Sequence, residues 1–339
     1  MANSTSYSGS AFLPKIRVSV GSAIVLGLIE GKLDAEPTTA YLMTYTAGKC
    51  SANCAFCPQA RTSLSNAELL SRVSWPAFPT RSVVNRIGVA ANQDRIKRVC
   101  VQALSYPRVF SDLVALVRMV KLHAVVPVSV SCQPTNNDNI RLLQAAGVDR
   151  IGIAIDAASP KLFVEVKGSG GNGSCNWEGQ FARLREAVEV FGKGNVSTHL
   201  IIGLGETEKE ATSLIQECVD MTVLPALFAF TPIRGTALES RVQPDVTVYR
   251  RVQVARYLIV NRIVRFSDMA FGVDGRIDSF GVEKEVLKGV VEGGKPFLTS
   301  GCPGCNRPFY NEKASGPIYN YPRGICPEEI AAIKRELAF

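Results

Sequence analysis

The sequence predicts an α/β protein built on a TIM-type (βα) barrel, full or partial, followed by a C-terminal extension that contains cysteines. Short apolar runs rich in β-branched residues alternate with longer amphipathic runs, which is typical of parallel βαβ units. The length of 339 residues suits one large barrel. Roughly six to eight strand–helix units are expected, with the active site at the carboxyl ends of the strands.

Eight segments have the composition and length of strands, the last of them the weakest. In chain order they are Ala40–Thr46, Arg98–Ala103, Pro127–Ser131, Arg150–Ile155, Val196–Ile202, Ala226–Thr231, Ile263–Ser267 and Pro296–Thr299. Helical patterns lie between nearly all of them. One runs over Asn136–Ala146 and ends at Gly147, and another begins at the capping box Thr207–Glu210.

Composition limits the class of protein. The apolar share of 46% and the charged share of 20% are ordinary for a globular protein, and no run approaches the roughly 20 apolar residues that cross a membrane. The first residues do not have the pattern of a signal peptide, so we expect a cytoplasmic protein whose ten cysteines serve metal or redox chemistry. The net charge of +8 favours an acidic partner, but no dense basic run indicates nucleic acid.

Three cysteines, Cys50, Cys54 and Cys57, follow the first predicted strand with the spacing CxxxCxxC. Three thiolates on one short loop suit three irons of a [4Fe–4S] cluster and leave the fourth iron open for reaction. A zinc site needs four ligands, and the sequence offers no fourth ligand nearby and only two histidines in all. Buried thiols without a metal are the remaining alternative.

Two features further along the chain suit a bound cofactor. Gly203 and Gly205 lie between a predicted strand and a capped helix, where they could also form only a tight turn. Asp156 ends an otherwise apolar strand, so its carboxylate needs a partner, water or a ligand. It could equally serve as a turn or helix-capping residue.

The C-terminal part contains a second set of cysteines. Cys302 and Cys305 form a CxxC hook with glycine and proline, and Cys326 follows about twenty residues later. These three predict an auxiliary iron–sulfur cluster, with a zinc-stapled tail as the alternative. The predicted division of the chain is a disordered tail over residues 1–12, the barrel over 13–300, and the cluster-binding extension over 301–339.

Four cysteines remain outside these two sets. Cys100 and Cys132 end the second and third predicted strands and point to the catalytic end of the barrel, although cysteines are also common small core residues. Cys218 lies on the apolar face of a predicted helix and is expected in the core. Cys175, in a glycine-rich loop, has no predicted role.

The loop of three cysteines resembles the signature of the radical S-adenosylmethionine (SAM) superfamily. The resemblance implies that SAM chelates the open iron and that its reductive cleavage yields a carbon radical. It also implies that the following residues contact SAM: Phe56, Asp156, Gly203, Gly205 and Glu206.

The barrel region also resembles biotin synthase. The matching segments are Cys54–Gln59, Arg98–Cys100, Cys132, Gly203–Thr207, Arg234–Thr236 and Val264–Ser267. Biotin synthase holds a [2Fe–2S] cluster inside its barrel, and the resemblance places Cys100, Cys132 and Arg265 at three of the four ligand positions. Ser197 stands where that family has its remaining cysteine.

Two segments, Ala35–Tyr45 and Gly301–Glu312, resemble archaeal proteins implicated as a two-protein lipoyl synthase. This resemblance implies sulfur insertion into an octanoyl chain, with the auxiliary cluster as the sulfur donor. The implied partners are an octanoylated carrier protein or peptide, a second radical SAM subunit and a reducing electron donor. The alternatives are biotin synthase, another radical SAM enzyme, and a two-cluster electron carrier without catalysis.

Overall fold

Six parallel strands with helices between them form the centre of the structure, a computed structural model that describes residues 13–168 and 176–338. The strands are β1 Lys15–Val18, β2 Thr39–Met43, β3 Leu69–Leu70, β4 Val73–Ser74, β5 Ala77–Pro79, β6 Arg98–Gln102, β7 Val128–Ser131, β8 Arg150–Gly152, β9 Val196–Ile202, β10 Leu224–Ala229, β11 Ala270–Phe271 and β12 Ile277–Ser279. The disordered tail expected over residues 1–12 and Cys175 lie outside the described residues.

Helices follow most of these strands. They are α1 Val20–Val25, α2 Thr80–Asn92, α3 Val109–His123, α4 Asn137–Ala145, α5 Pro160–Lys167, α6 Trp177–Phe191, α7 Glu208–Asp220, α8 Val246–Val260, α9 Lys284–Glu292 and α10 Pro327–Glu336. The capping box predicted at Thr207 is present, with both of its hydrogen bonds to Glu210. Gly147 follows α4 with φ +99°, as expected of a glycine after a helix C-terminus.

The main sheet has the order β10-β9-β8-β7-β6-β2-β1-β5. Strand β2 and strands β6 to β10 are all parallel to one another, whereas β1 pairs antiparallel with both β2 and β5. Strands β10 and β5 form the two ends of the sheet as described, so the fold is a partial barrel of six parallel strands. The α/β fold class predicted from the sequence is confirmed.

Two predicted strands are wrong. Within Ile263–Ser267, the Asp268 carboxylate accepts a hydrogen bond of 2.7 Å from the backbone N–H of Arg265, and the chain curls into one 3₁₀ turn over Phe266–Asp268. Within Pro296–Thr299, the chain forms a 3₁₀ turn over Lys295–Phe297, in which the proline has no N–H for a sheet. Neither segment joins the main sheet, although Leu298 forms an isolated parallel bridge with Tyr321 of the extension.

The extension folds back onto the barrel through buried polar contacts. Arg250 of α8 is 1% exposed and donates to the carbonyl oxygens of Ile318 (2.6 Å) and Tyr319 (2.7 Å). At the opposite side of the sheet, the Asn306 side chain accepts from the backbone N–H of Thr38 at 3.0 Å. None of the described helices combines the length and apolar character needed to cross a bilayer.

Replacing Arg250 is expected to loosen the extension. Arg250→Leu leaves the Ile318 carbonyl oxygen and the Glu336 carboxylate without this donor, and leaves the Tyr319 carbonyl oxygen with Gln253 alone. The free energy of unfolding should therefore fall by about 3 kcal/mol in urea denaturation. The matched control is Arg118→Leu on the exposed face of α3, which should change it by less than about 0.5 kcal/mol. Equal effects of the two changes would contradict this role for Arg250.

Candidate functional site

A cavity of about 970 Å³ lies against the inner face of the parallel strands and their carboxyl ends. Its wall includes the loop after β2, residues of β6 to β10, and the segment 301–310 of the extension apart from a few positions. This is the end of the sheet where the sequence predicted chemistry, because ligands of parallel α/β folds bind at strand carboxyl ends.

The three loop cysteines, Cys50, Cys54 and Cys57, all line the cavity. The Cys50 sulfur accepts a hydrogen bond of 3.1 Å from the Ser105 N–H, which follows β6. The Lys49 ammonium donates to the Pro58 carbonyl oxygen at 2.7 Å and holds the two ends of the loop together. The tertiary structure therefore presents the three thiols to one space.

Burial raises the pKa of the Cys57 thiol, and the nearby Cys54 raises it further. A bound cation, such as an iron of a cluster, favours the thiolate form of Cys57 by compensating its charge. Among the described residues, no three His, Cys, Asp or Glu side chains converge on the position of a single metal ion. A cluster does not require such convergence, because each thiolate binds its own iron.

Of the five predicted SAM contacts, two line the cavity and three do not. Phe56 and Asp156 line it. The Glu206 carboxylate instead accepts from the N–H groups of Gly203 (2.6 Å) and Leu204 (3.0 Å), so it closes the turn after β9. This turn is the simpler alternative that the sequence left open. From the same strand, His199 and Ile201 reach the cavity wall.

The backbone conformation and the packing around position 203 both require a glycine there. Its φ is +104°, and a Cβ at this position would lie 2.8 Å from Cδ of Pro244. Gly205 has φ +119° in the same turn. Both glycines therefore shape the turn, and direct contact of this turn with SAM remains a prediction.

Asp156 pairs with a residue that the sequence analysis missed. The Lys167 ammonium lies 2.7 Å from its carboxylate, and the two side chains are only 3% and 10% exposed, respectively. Lys167 also donates to the Ala154 carbonyl oxygen at 2.7 Å. A lysine at the last position of α5 gives no local sequence signal, because its partner is brought close only by the packing of α5 on the strand ends.

The second set of cysteines is only partly assembled at the cavity. Cys302 and Cys305 line it. Cys326 does not; it precedes α10 as the N-cap residue, where its sulfur accepts a hydrogen bond from the Glu329 N–H. Cys326 is therefore placed as a helix cap, away from the cavity wall.

Of the positions indicated by the resemblance to biotin synthase, some line the cavity and one does not. Cys100 and Cys132 line the cavity, as does Ser197. Arg265 does not: its side chain is 63% exposed and pairs with Asp220 at 3.0 Å on the surface. The placement of Arg265 as a ligand inside the barrel is therefore wrong.

Arg307 is a half-buried cation at the cavity wall that the sequence analysis also missed. Its guanidinium lies 3.8 Å from the ring centroid of Phe228 and donates to the carbonyl oxygens of Leu227 and Ser300, each at 3.3 Å. Arg307 lies two residues after Cys305, and this closeness to the CxxC hook in the sequence could have indicated a cation at the site.

Comparisons with known proteins agree with this geometry. The family model described as the radical SAM superfamily matches residues 44–218, which include the three loop cysteines and the turn after β9. The chain belongs to the radical SAM superfamily. Members of this superfamily are enzymes that use a [4Fe–4S] cluster and SAM, and the three cysteines that line one cavity suit such a cluster.

Radical SAM proteins of known sequence that resemble the chain include biotin synthases. It is 23% identical over 239 residues to the biotin synthase of Synechococcus sp. (strain JA-3-3Ab), covering 67% of this chain and 71% of that protein. It is 25% identical over 237 residues to the biotin synthase of Prochlorococcus marinus (strain MIT 9515), covering 67% and 66%.

Solved structures share the fold at low identity. Methylornithine synthase matches with a TM-score of 0.53 and 14% identity over 94% of this chain and 85% of its own. The FeFe-hydrogenase maturase HydG of Carboxydothermus hydrogenoformans matches with a TM-score of 0.51 and 14% identity, over 71% of this chain and 55% of its own. The chain thus spans about half of the maturase, and both likenesses concern the fold alone.

Breaking the buried pair should destabilise this radical SAM protein strongly. Lys167→Met leaves the Asp156 carboxylate buried without a cation, so the free energy of unfolding should fall by about 3 kcal/mol in chemical denaturation. Adding Asp156→Asn should restore part of the loss. The control Lys334→Met breaks an exposed pair with Glu292 and should cost less than about 1 kcal/mol. A double variant as unstable as the single one would contradict a charge effect.

Stability should also depend on His199 at acid pH. Burial lowers the pKa of His199 to about 4, below the value of about 6.5 for an unfolded histidine. Between these values only the unfolded state gains the proton, so lowering the pH from 7 to 5 should cost about 2 kcal/mol of unfolding free energy from this group. In the His199→Phe variant, the free energy of unfolding should fall by about 2 kcal/mol less over the same pH interval. Equal pH slopes for both proteins would refute this account.

Proposed function

We propose that this radical SAM enzyme inserts sulfur into a protein-bound octanoyl chain, as a component of a lipoyl synthase. The observation that carries the proposal is that the three loop cysteines and the distant pair Cys302 and Cys305 face one cavity. When bound, a [4Fe–4S] cluster with SAM at the loop would supply a carbon radical that removes hydrogen, and an auxiliary cluster would supply sulfur.

The two sets lie on the same apolar patch, which supports their joint action. Cys50 of the loop and Cys305 of the extension both pack against a group formed by Tyr41, Met43, Trp75 and Leu104. A substrate carbon held against this patch would be near both sets. Positioning of this kind is the main contribution of the protein when cofactors perform the chemistry.

The cavity wall suits an unbranched hydrocarbon. It includes the side chains of Leu33, Phe56, Leu70, Trp75 and Phe309. Burying an octanoyl chain there gains about 0.8 kcal/mol for each CH₂ group and keeps water away from a reactive carbon.

Charge at the edge of the cavity suits an acidic carrier domain. Lys32 and Arg61 line the cavity and are exposed to solvent, and the whole chain has a net charge of +8. Complementary charge raises the rate at which such partners associate. A second radical SAM subunit for the other insertion and a reducing electron donor complete the proposal.

Biotin synthesis is the second candidate. Cys100 and Cys132 both line the cavity, at two ligand positions implied by the resemblance to biotin synthase. Against it, Arg265 lies on the surface and Ser197 replaces a cysteine. The choice of dethiobiotin or octanoyl substrate therefore decides between the two.

Removing the two hook cysteines should separate SAM cleavage from sulfur insertion. In the anaerobically reconstituted enzyme, Cys302→Ala/Cys305→Ala should still form 5′-deoxyadenosine from SAM, because the loop cysteines are intact. Mass spectrometry of an octanoylated carrier peptide after one turnover should then show no sulfur gain, whereas the unaltered enzyme adds one sulfur.

The matched control is Cys218→Ala, which removes a fully buried thiol of α7 far from these sets and should keep both activities. Sulfur gain by dethiobiotin and none by the octanoyl peptide would replace the proposal with biotin synthesis. Sulfur gain with the double variant would show that the hook cysteines are not required for sulfur insertion.

A further inference from the structure

We infer that the auxiliary cluster is held by Cys100 of β6 together with Cys302 and Cys305 of the extension, and that Cys326 is not a ligand. This inference names the ligands of the cluster in the proposed function, and its biological meaning rests on that function. The binding of iron by these residues can nevertheless be measured without any sulfur insertion.

Sheet register places Cys100 at the centre of a row of three residues. On one side it pairs with Tyr41 of β2, and on the other with Ser129 of β7. Residues paired across neighbouring strands project from the same face of a sheet. All three line the cavity, so this face is the inner one.

The two sulfurs of the hook contact the two ends of that row. The Cys305 sulfur lies 3.2 Å from the Tyr41 hydroxyl oxygen, and the Cys302 sulfur lies 3.6 Å from the Ser129 hydroxyl oxygen. Because Cys100 stands between Tyr41 and Ser129, its thiol faces both hook sulfurs.

The surrounding polar groups suit cluster sulfur. The Gln102 amide lies 3.2 Å from the Cys100 sulfur, and the Arg307 guanidinium is close enough to lower the pKa of Cys100. The backbone N–H of Arg307 donates to the Tyr41 hydroxyl at 2.9 Å. Hydrogen bonds and a nearby cation are the usual means by which a protein stabilises the negative charge of an iron–sulfur cluster.

The other two candidate thiols are placed elsewhere. Cys326 is held in the cap of α10 by Glu329 and does not line the cavity. Cys132 lines the cavity, but it lies past the end of β7, three residues beyond Ser129, the residue that pairs with Cys100. Three thiolates from Cys100 and the hook would leave one iron of a four-iron cluster without a protein ligand.

Such a cluster would join the central sheet to the extension, so its binding would stabilise the docked extension as well. This is a second, non-catalytic consequence of the ligand set. Hydrogen exchange of segment 301–312 should slow when iron is loaded, and β6 should slow with it.

The test uses the full chain with its three loop cysteines changed to alanine, which removes the SAM cluster. After anaerobic reconstitution this parent should bind roughly four irons, measured together with sulfide and the EPR spectrum of the reduced sample. Adding Cys100→Ala should lower the iron to less than about one per chain. Adding Cys326→Ala or Cys132→Ala should leave iron and spectrum as in the parent.

Cys100→Ser is the nearly isosteric second variant, and circular dichroism checks that each variant is folded. If Cys100→Ala does not fold, Cys100→Ser carries the test, because an oxygen ligand or a lost ligand must alter the EPR spectrum. An unchanged spectrum in Cys100→Ser, iron loss in Cys326→Ala, or a parent without iron would each overturn the inference. Iron binding as expected without sulfur transfer would overturn only the proposed function.

Discussion

The return of the extension onto the central sheet is the constraint on which the rest of the site depends. Arg250 of α8 and Asn306 of the extension fasten it at two separate places, one buried and one near the surface. The hook that bears Cys302 and Cys305 directly precedes Asn306 and lines the cavity at the strands' inner face. Without this docking the cavity would lose the two hook cysteines and keep the loop cysteines with Cys100 and Cys132 of the barrel.

The cavity combines apolar walls with charged side chains, and several charges in its inner part are compensated. Lys167 neutralises Asp156, His199 is kept neutral by burial, and Arg307 lies beside the thiols of the second set. A low-dielectric space of this kind strengthens every remaining charge interaction. Thiolates in it are stable only with cations, which is consistent with the iron–sulfur chemistry of the superfamily.

Low identity to its relatives leaves room for a different reaction on the same fold. The chain shares a superfamily and a barrel with biotin synthases at 23% and 25% identity, but its arginine at the compared position lies on the surface. Fold likeness alone does not determine a substrate, because function depends on residues of the site. Here those residues come from the extension as well as from the barrel.

The sequence by itself determined what depends on neighbours in the chain: alternating strands and helices, the capping box at Thr207, and the spacing of the three loop cysteines. It missed the one-turn helix after Arg265, where local hydrogen bonds outweigh an apolar strand pattern. Only the tertiary structure decided that Cys100 lies with the hook and Cys326 does not. The reason is physical, because contacts between distant segments depend on sheet register and docking, which no local pattern encodes.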